Sequence, residues 1–437
     1  MKNVDNTLKK NDKLLIYLFW AFSAISLVCV IAFTALSEGR AFNDLLFGED
    51  YFMDFYNSMC DAGTRDVYKE RGVIYPPLSS LFFLLISKAV PHEYIALKYG
   101  NNERLQMYSD GLCQIVFVLF IVTVTLALGM LFYDILQRKL TKSESFLTAF
   151  FIMISFPMIY CIQRGNVALI AMVLSAFFVF YRSSENKIIR ELSYVALALA
   201  AGFKIYPAIF GLLLITDKKY KEAIRLVIYG AAAFFLPFAF YGGFEGISIF
   251  IKNLITFSGG NIWAYSLIGP SILIDLKQMA TVLGIDISLY LTIAKVVVWL
   301  MCAFIVFFAN EEWNKLIGLF FAFVNIDSTA RVYILIFLLI SFVSYILQRS
   351  EGKINIIYGI MFCSLIITIP CFWYFKMDAI TAFLQNTFNL KTVIIDLLRK
   401  PNVITEPFII LLFEIILTVE TAVKLKHKAV KNRLSAQ

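Results

Sequence analysis

The sequence predicts an all-α fold, a polytopic helical membrane protein, and three observations predict it. Hydrophobic residues make up 60% of the chain and charged residues only 16%, with a mean hydropathy of +0.77. A soluble domain is nearer half apolar and a quarter charged. Apolar runs near the length that crosses a bilayer, about 20 residues, recur along the chain. Lys and Arg gather in the short stretches between those runs, where they act as orientation signals. The expectation is one membrane domain over residues 1–437, with about twelve crossings and both termini in the cytoplasm.

The elements follow in order. Lys2, Lys9, Lys10 and Lys13 hold the N-terminus on the cytoplasmic side. The apolar run 14–36 is longer than a signal-peptide core and lacks a clear small-residue cleavage site, so it reads as an uncleaved first span. It delivers residues 37–111 to the outer face as a large first extracytoplasmic loop. Between residues 37 and 77 that loop sets eight acids, Glu38, Asp44, Glu49, Asp50, Asp54, Asp61, Asp66 and Glu70, against four bases, Arg40, Arg65, Lys69 and Arg71. Then comes RGVIYPPLSSLFFLLI, residues 71–86, where a proline pair opens an apolar run. Proline has a fixed φ and no N–H, so it starts a helix well and continues one badly. The helix behind it, about a dozen residues, is short for a span and is expected to lie in or dip into the outer face.

The next span is 112–133, closed by the basic Arg138, Lys139 and Lys142. Basic stretches return at 182–190, 218–225, 349–353 and in the tail. The apolar segments between them fit pairs of short helices, turning at the outer face at Arg164-Gly165-Asn166, at 204–207 and at 325–331. No internal repeat stands out, which counts against an inverted-repeat transporter.

The formal charge of +8 sits in those loops and in Lys424, Lys426, Lys428, Lys431 and Arg433, so it reads as topology rather than as a nucleic-acid surface; the tail reads first as a solvated cytoplasmic end and second as a contact for membrane lipid head groups. Of seven cysteines, Cys29, Cys113, Cys302 and Cys363 lie inside apolar runs, and no CxxC occurs. The two histidines, His92 and His427, have no ligand-spaced partner. Nothing in the pattern calls for a metal or a cofactor.

Charged side chains near mid-membrane cost about 2.5–3.5 kcal/mol each on insertion scales, so those that remain point to function. Asp54, Arg164, Lys204, Asp327 and Arg331 all fall on the outer side of this topology. One acid and several cations facing a common cleft fit a phosphate-bearing substrate, because guanidinium forks match phosphate oxygens and Lys adds a point charge. Each also has a plainer reading. Asp54 reads as a solvated loop acid, Arg164 as a cap at a turn and Lys204 as a side chain reaching for the interface. Asp327 and Arg331, spaced i, i+4, read as a helical ion pair.

Asp54-Phe55-Tyr56, Tyr68, Tyr75-Pro76-Pro77-Leu78, Arg164-Gly165-Asn166 and Lys204-x-x-Pro207 come in an order and spacing that resemble glycosyltransferase family 87. These are multi-span C-type glycosyltransferases that include polyprenol-phosphate-mannose-dependent mannosyltransferases. The likeness covers about the first half of the chain. It implies a polyprenyl-phosphate sugar donor, a glycan or glycolipid acceptor and transfer at the extracytoplasmic face, with Asp54 as catalytic base. It places Tyr56, Tyr75, Arg164, Asn166 and Lys204 around the substrates, and Arg331 joins them as a further cation. A sugar on polyprenyl phosphate already carries a good leaving group, so the reaction needs a base and phosphate-holding cations more than a strong acid. The competing expectations are a transporter or flippase for a lipid-linked or anionic solute, and a non-catalytic scaffold subunit.

Overall fold

A computed structural model describes residues 10–36, 38–39, 52–64, 66–94, 106–259, 271–326, 332–348, 353–368 and 401–434. Every regular element among them is helical. In chain order they are α1 (Lys10–Leu36), α2 (Met53–Ala62), α3 (Val67–Arg71), α4 (Pro77–Ser87), α5 (Gly111–Leu136), α6 (Lys142–Met153), α7 (Phe156–Arg164), α8 (Ala168–Tyr181) and α9 (Lys187–Phe203). After a 3-10 turn at Tyr206–Gly211 come α10 (Leu212–Thr216), α11 (Tyr220–Phe235), α12 (Phe244–Gly259), α13 (Ile272–Leu283), α14 (Ser288–Phe308) and α15 (Glu312–Ile326). A later 3-10 turn at Val332–Phe337 leads into α16 (Leu338–Gln348), α17 (Lys353–Ile366) and α18 (Pro401–Leu434).

Local chemistry fixes several of these ends. The Asp110 carboxylate accepts the Cys113 N–H at 2.8 Å and starts α5. Thr141 and Glu144 form a reciprocal capping box at the head of α6. Pro77 is the first residue of α4, where its missing N–H costs nothing. The runs predicted as the first two clear spans appear as α1 and α5.

The chain divides into two compact units, residues 45–154 with 158–260, and residues 1–44 with 155–157 and 261–437. In the first, α9 lies along α8 and α11, α5 along α6 and α8, and α4 packs on α2. A Cβ at Gly202 would stand 2.8 Å from Leu78 Cδ2 and 3.1 Å from the Ala233 carbonyl, so glycine is what lets α4 and α11 close on α9. Phe55 sits at the centre, with the rings of Phe83, Phe117 and Phe120 at 5.1 to 5.6 Å. Lipid tails are as apolar as these side chains, so such packing carries the helix association that hydrophobicity alone does not.

In the second unit α14, α15 and α16 pack in sequence, and α18 lies along α14. Its core is aromatic: buried Trp313 meets Tyr345 at 5.0 Å and Tyr358 at 5.1 Å, and Tyr358 stacks on Phe413 at 5.3 Å. Glu414 within α18 is buried and accepts the Cys302 thiol at 3.1 Å.

The expected count of about twelve crossings is not supported. Among the described residues four helical stretches, Lys13–Leu36, Gly111–Leu136, Tyr220–Phe240 and Ser288–Phe308, are long and apolar enough to cross a membrane. A fifth is reached if α6 and α7, bent by 48° at their junction, form one broken span. The reason is length. Apolar runs do fold as helices, but several, such as Pro77–Ser87 and Ala168–Tyr181, stop at 10–17 residues. A helix of 14 residues rises about 21 Å, against a hydrocarbon core of about 30 Å.

Candidate functional site

Two left-handed residues bring the site together. Phe52, just before α2, has φ 53°, and its N–H donates to the Gln163 carbonyl at 2.6 Å in the last turn of α7. Gly165, just after α7, has φ 63°. A Cβ there would lie 2.8 Å from Phe55 Cβ and 3.0 Å from Phe117 Cε2, so only glycine permits α2 and the end of α7 to approach this closely. The crossing sets the first turn of α2, where the helix dipole favours an acid, against the residues that flank Gly165.

Asp54 is that first-turn acid. Arg164 Nη2 donates to its Oδ1 at 2.6 Å, and Nε to Oδ2 at 3.4 Å. Asn166 Nδ2 donates to Oδ2 at 2.7 Å. The amide is oriented by its other end, because Asn166 Oδ1 accepts the Ala168 N–H at 2.9 Å at the start of α8. Asn166 Nδ2 also reaches the Tyr75 hydroxyl at 3.3 Å. Lys204 Nζ sits over the Tyr75 ring, 4.0 Å from its centroid. The Lys204 backbone leaves α9 in an extended conformation, so its side chain is presented from a helix end rather than from a helix face.

The group is largely shielded. The side chains of Arg164 and Asp54 are 9% and 17% exposed, and Asn166 is fully buried. Both carboxylate oxygens accept hydrogen bonds from a guanidinium and an amide, and a second cation stands across Tyr75. Two cations around one carboxylate leave a surplus positive charge, which suits an anion. The carboxylate, with its own lone pairs, suits a proton transfer.

Of the residues expected from sequence, Asp54, Tyr75, Arg164, Asn166 and Lys204 converge. Tyr56 does not. It is buried on the other side of α2, where its hydroxyl donates to the Cys113 carbonyl at 3.4 Å and its ring meets Tyr108 edge-on at 5.0 Å. Asp327, Arg331 and most of the basic stretch 349–353 lie outside the described residues. Asp61 is buried within α2, and Asp66 lies exposed at the head of α3. Among the described residues no three His, Cys, Asp or Glu side chains come together to hold a metal ion. Sequence reasoning passed over Asn253 altogether, although a lone amide in the apolar run of α12 was a signal of sorts.

The family model for glycosyltransferase family 87 matches residues 74–341, more than half of the chain. The match takes in Tyr75, Arg164, Asn166 and Lys204 and begins after Asp54. No curated protein and no solved structure matches the chain.

Proposed function

The chain belongs to glycosyltransferase family 87, and from that premise we propose that it transfers a hexose, mannose first among them, from a polyprenyl-phosphate donor to a glycan or glycolipid acceptor at the extracytoplasmic face. It is a membrane glycosyltransferase, and in this reading it works in the cell membrane with both termini in the cytoplasm. The observation that carries the proposal is the Asp54 carboxylate held between Arg164 and Asn166, with Lys204 across Tyr75.

In the proposed reaction Asp54 takes the proton of the acceptor hydroxyl. The hydroxyl oxygen bonds to the anomeric carbon while the bond from that carbon to the phosphate oxygen breaks. The electron pair leaves with the phosphate, and one displacement inverts the anomeric configuration. Arg164 and Lys204 hold the departing phosphate, Arg164 through its planar fork. Tyr75 and Asn166 shape the pocket, and Asn166 keeps the carboxylate aimed. Arg331 is a further candidate for the phosphate site. Arg164 pairs with Asp54. A donor phosphate competes for that guanidinium and frees lone pairs on the carboxylate, so the donor prepares the base before the acceptor arrives.

The test is Asp54→Asn in purified protein supplied with radiolabelled polyprenyl-phosphate sugars. The substitution keeps size and polarity and removes the basic oxygen, so transfer falls by about 10²–10⁴-fold, the usual worth of a general base. Donor binding persists, and Asp61→Asn and Asp66→Asn cost little. Transfer by Asp54→Asn within a few-fold of wild type rules out Asp54 as the base. A transporter of lipid-linked anions would need the same cations, but offers no reason for Asp54 alone to matter.

A further inference from the structure

Tyr75 has no helix beneath it. It lies in the link 72–76 between α3 and α4, yet its hydroxyl meets Asn166 at 3.3 Å and its ring covers Lys204 at 4.0 Å. Hydrogen bonds from α12 and from Tyr68 hold that link. Asn253 Nδ2, from α12, donates to the Tyr68 carbonyl at 2.8 Å and to the Val73 carbonyl at 3.3 Å. The Tyr68 hydroxyl donates to the carbonyl of Tyr75 itself at 3.1 Å. Asn253 thus fastens the start of the link, and Tyr68 fastens its far end.

Tyr68 is a rigid post for this purpose. Its ring is 3% exposed and is enclosed by Phe238, Tyr241 and Phe250, with centroids 5.5 to 5.7 Å away. Val73, Leu81 and Leu254 pack against the same cluster. Burial raises the hydroxyl well above the ordinary phenol pKa, so it remains a donor at any working pH.

On the reading that Tyr75 belongs to the substrate site, we propose that Asn253 and Tyr68 are positioning residues: a brace from α12 that fixes Tyr75 over Lys204 and against Asn166. An amide suits the first position because one nitrogen carries two N–H groups for two carbonyls. Aspartate there has no donor. Phenylalanine at 68 keeps the packed ring and loses the hydroxyl, with its bond to Tyr75 and its contact with Ser80.

The experiment follows the accessibility of Lys204 in the full-length protein, by site-resolved acetylation with an amine-reactive reagent and mass spectrometry. Lys221, exposed on α11, is the internal control. Lys204 is 8% exposed and reacts slowly in the wild type. In Tyr68→Phe it reacts about two- to tenfold faster, the worth of one hydrogen bond, and in Asn253→Asp, which loses two, at least as much faster, while Lys221 is unchanged. In a Tyr75→Ala background Lys204 is already uncovered, and adding Tyr68→Phe changes nothing further. The donor KM of Tyr68→Phe rises by a similar factor with little change in kcat. Equal Lys204 labelling in wild type and Tyr68→Phe overturns the brace. So does the same acceleration in the Tyr75→Ala background, or a parallel rise at Lys221, since each marks general loosening or no coupling. A wild type that transfers no sugar defeats the proposed reaction, and the labelling pattern still decides the brace.

Discussion

Gly165→Ala is a small perturbation with a calculable cost. The residue sits at φ 63°, where an L side chain crowds its own backbone, at about 1–2 kcal/mol. The added methyl would also stand 2.8 Å from Phe55 Cβ and 3.0 Å from Phe117 Cε2. Both neighbours belong to a packed aromatic cluster, and overpacking of this kind costs about 1–3 kcal/mol. Together the loss is about 2–5 kcal/mol. Gly243→Ala separates the two parts, because Gly243 has φ 58° and nothing within 4 Å of the same methyl. It should lose only the backbone part, about 1–2 kcal/mol. Chemical unfolding of the two variants in detergent, followed by near-ultraviolet circular dichroism, measures the difference. Transfer adds a second reading: relief of the clash pushes Phe55 aside and Asp54 with it, and a displacement of about 1 Å in a reacting group costs about 10²-fold. If Gly165→Ala is no less stable than Gly243→Ala, and transfers sugar at the wild-type rate, the close crossing of α2 and α7 does not hold the site as argued.

Other outcomes follow from the same geometry. Arg164→Ala and Lys204→Ala each weaken use of the donor in initial-rate assays, and Arg164→Lys recovers only part of the loss because the fork is gone; unchanged donor KM in all three would move the phosphate site elsewhere. Thr141→Ala removes the capping box of α6 and should lower stability by about 0.5–2 kcal/mol with donor KM intact; a change in KM without a change in stability would contradict that. Cysteines introduced at Asn57 and Asn432 should react with impermeant reagents from the outside and from the cytoplasm respectively. Labelling of Asn57 only from the cytoplasm would sink the orientation and the reaction built on it.

The long elements were legible because a single physical requirement shapes them. A run such as 14–36 has to satisfy its backbone within itself and face lipid, and it appears as α1. The same reasoning overcounted crossings, since hydropathy registers an apolar helix whether or not it is long enough to cross. Asp54 and Arg164 stand out in the sequence as charges that an apolar chain does not keep idly. Their contact, across 110 positions, was not contained in either segment. Tyr56 shows the opposite limit: sharing a motif with Asp54 says nothing of direction, and two positions along a helix turn a side chain to the other side. The left-handed Phe52 had no signal at all, because its backbone is set by a carbonyl at Gln163 rather than by its own side chain. Asn253 lies 185 residues from Tyr68, and only the fold joins them.

The shielded trio of Asp54, Arg164 and Lys204 has a consequence in electrical terms. By formal charge it carries one surplus positive charge, from two cations and one carboxylate. The phosphodiester donor of the proposed reaction would bring a single negative charge and make the assembly neutral. In the proposed transfer the acceptor proton would neutralise Asp54, and the departing phosphate monoester would gain a second negative charge. Two cations then face a dianion, and the assembly is neutral again. A low-dielectric setting penalises net charge heavily, so the loaded site neither gathers nor sheds charge as the sugar moves. In the proposed reaction, loss of that proton from Asp54 would set two cations against three negative charges, so deprotonation would favour release of the product phosphate.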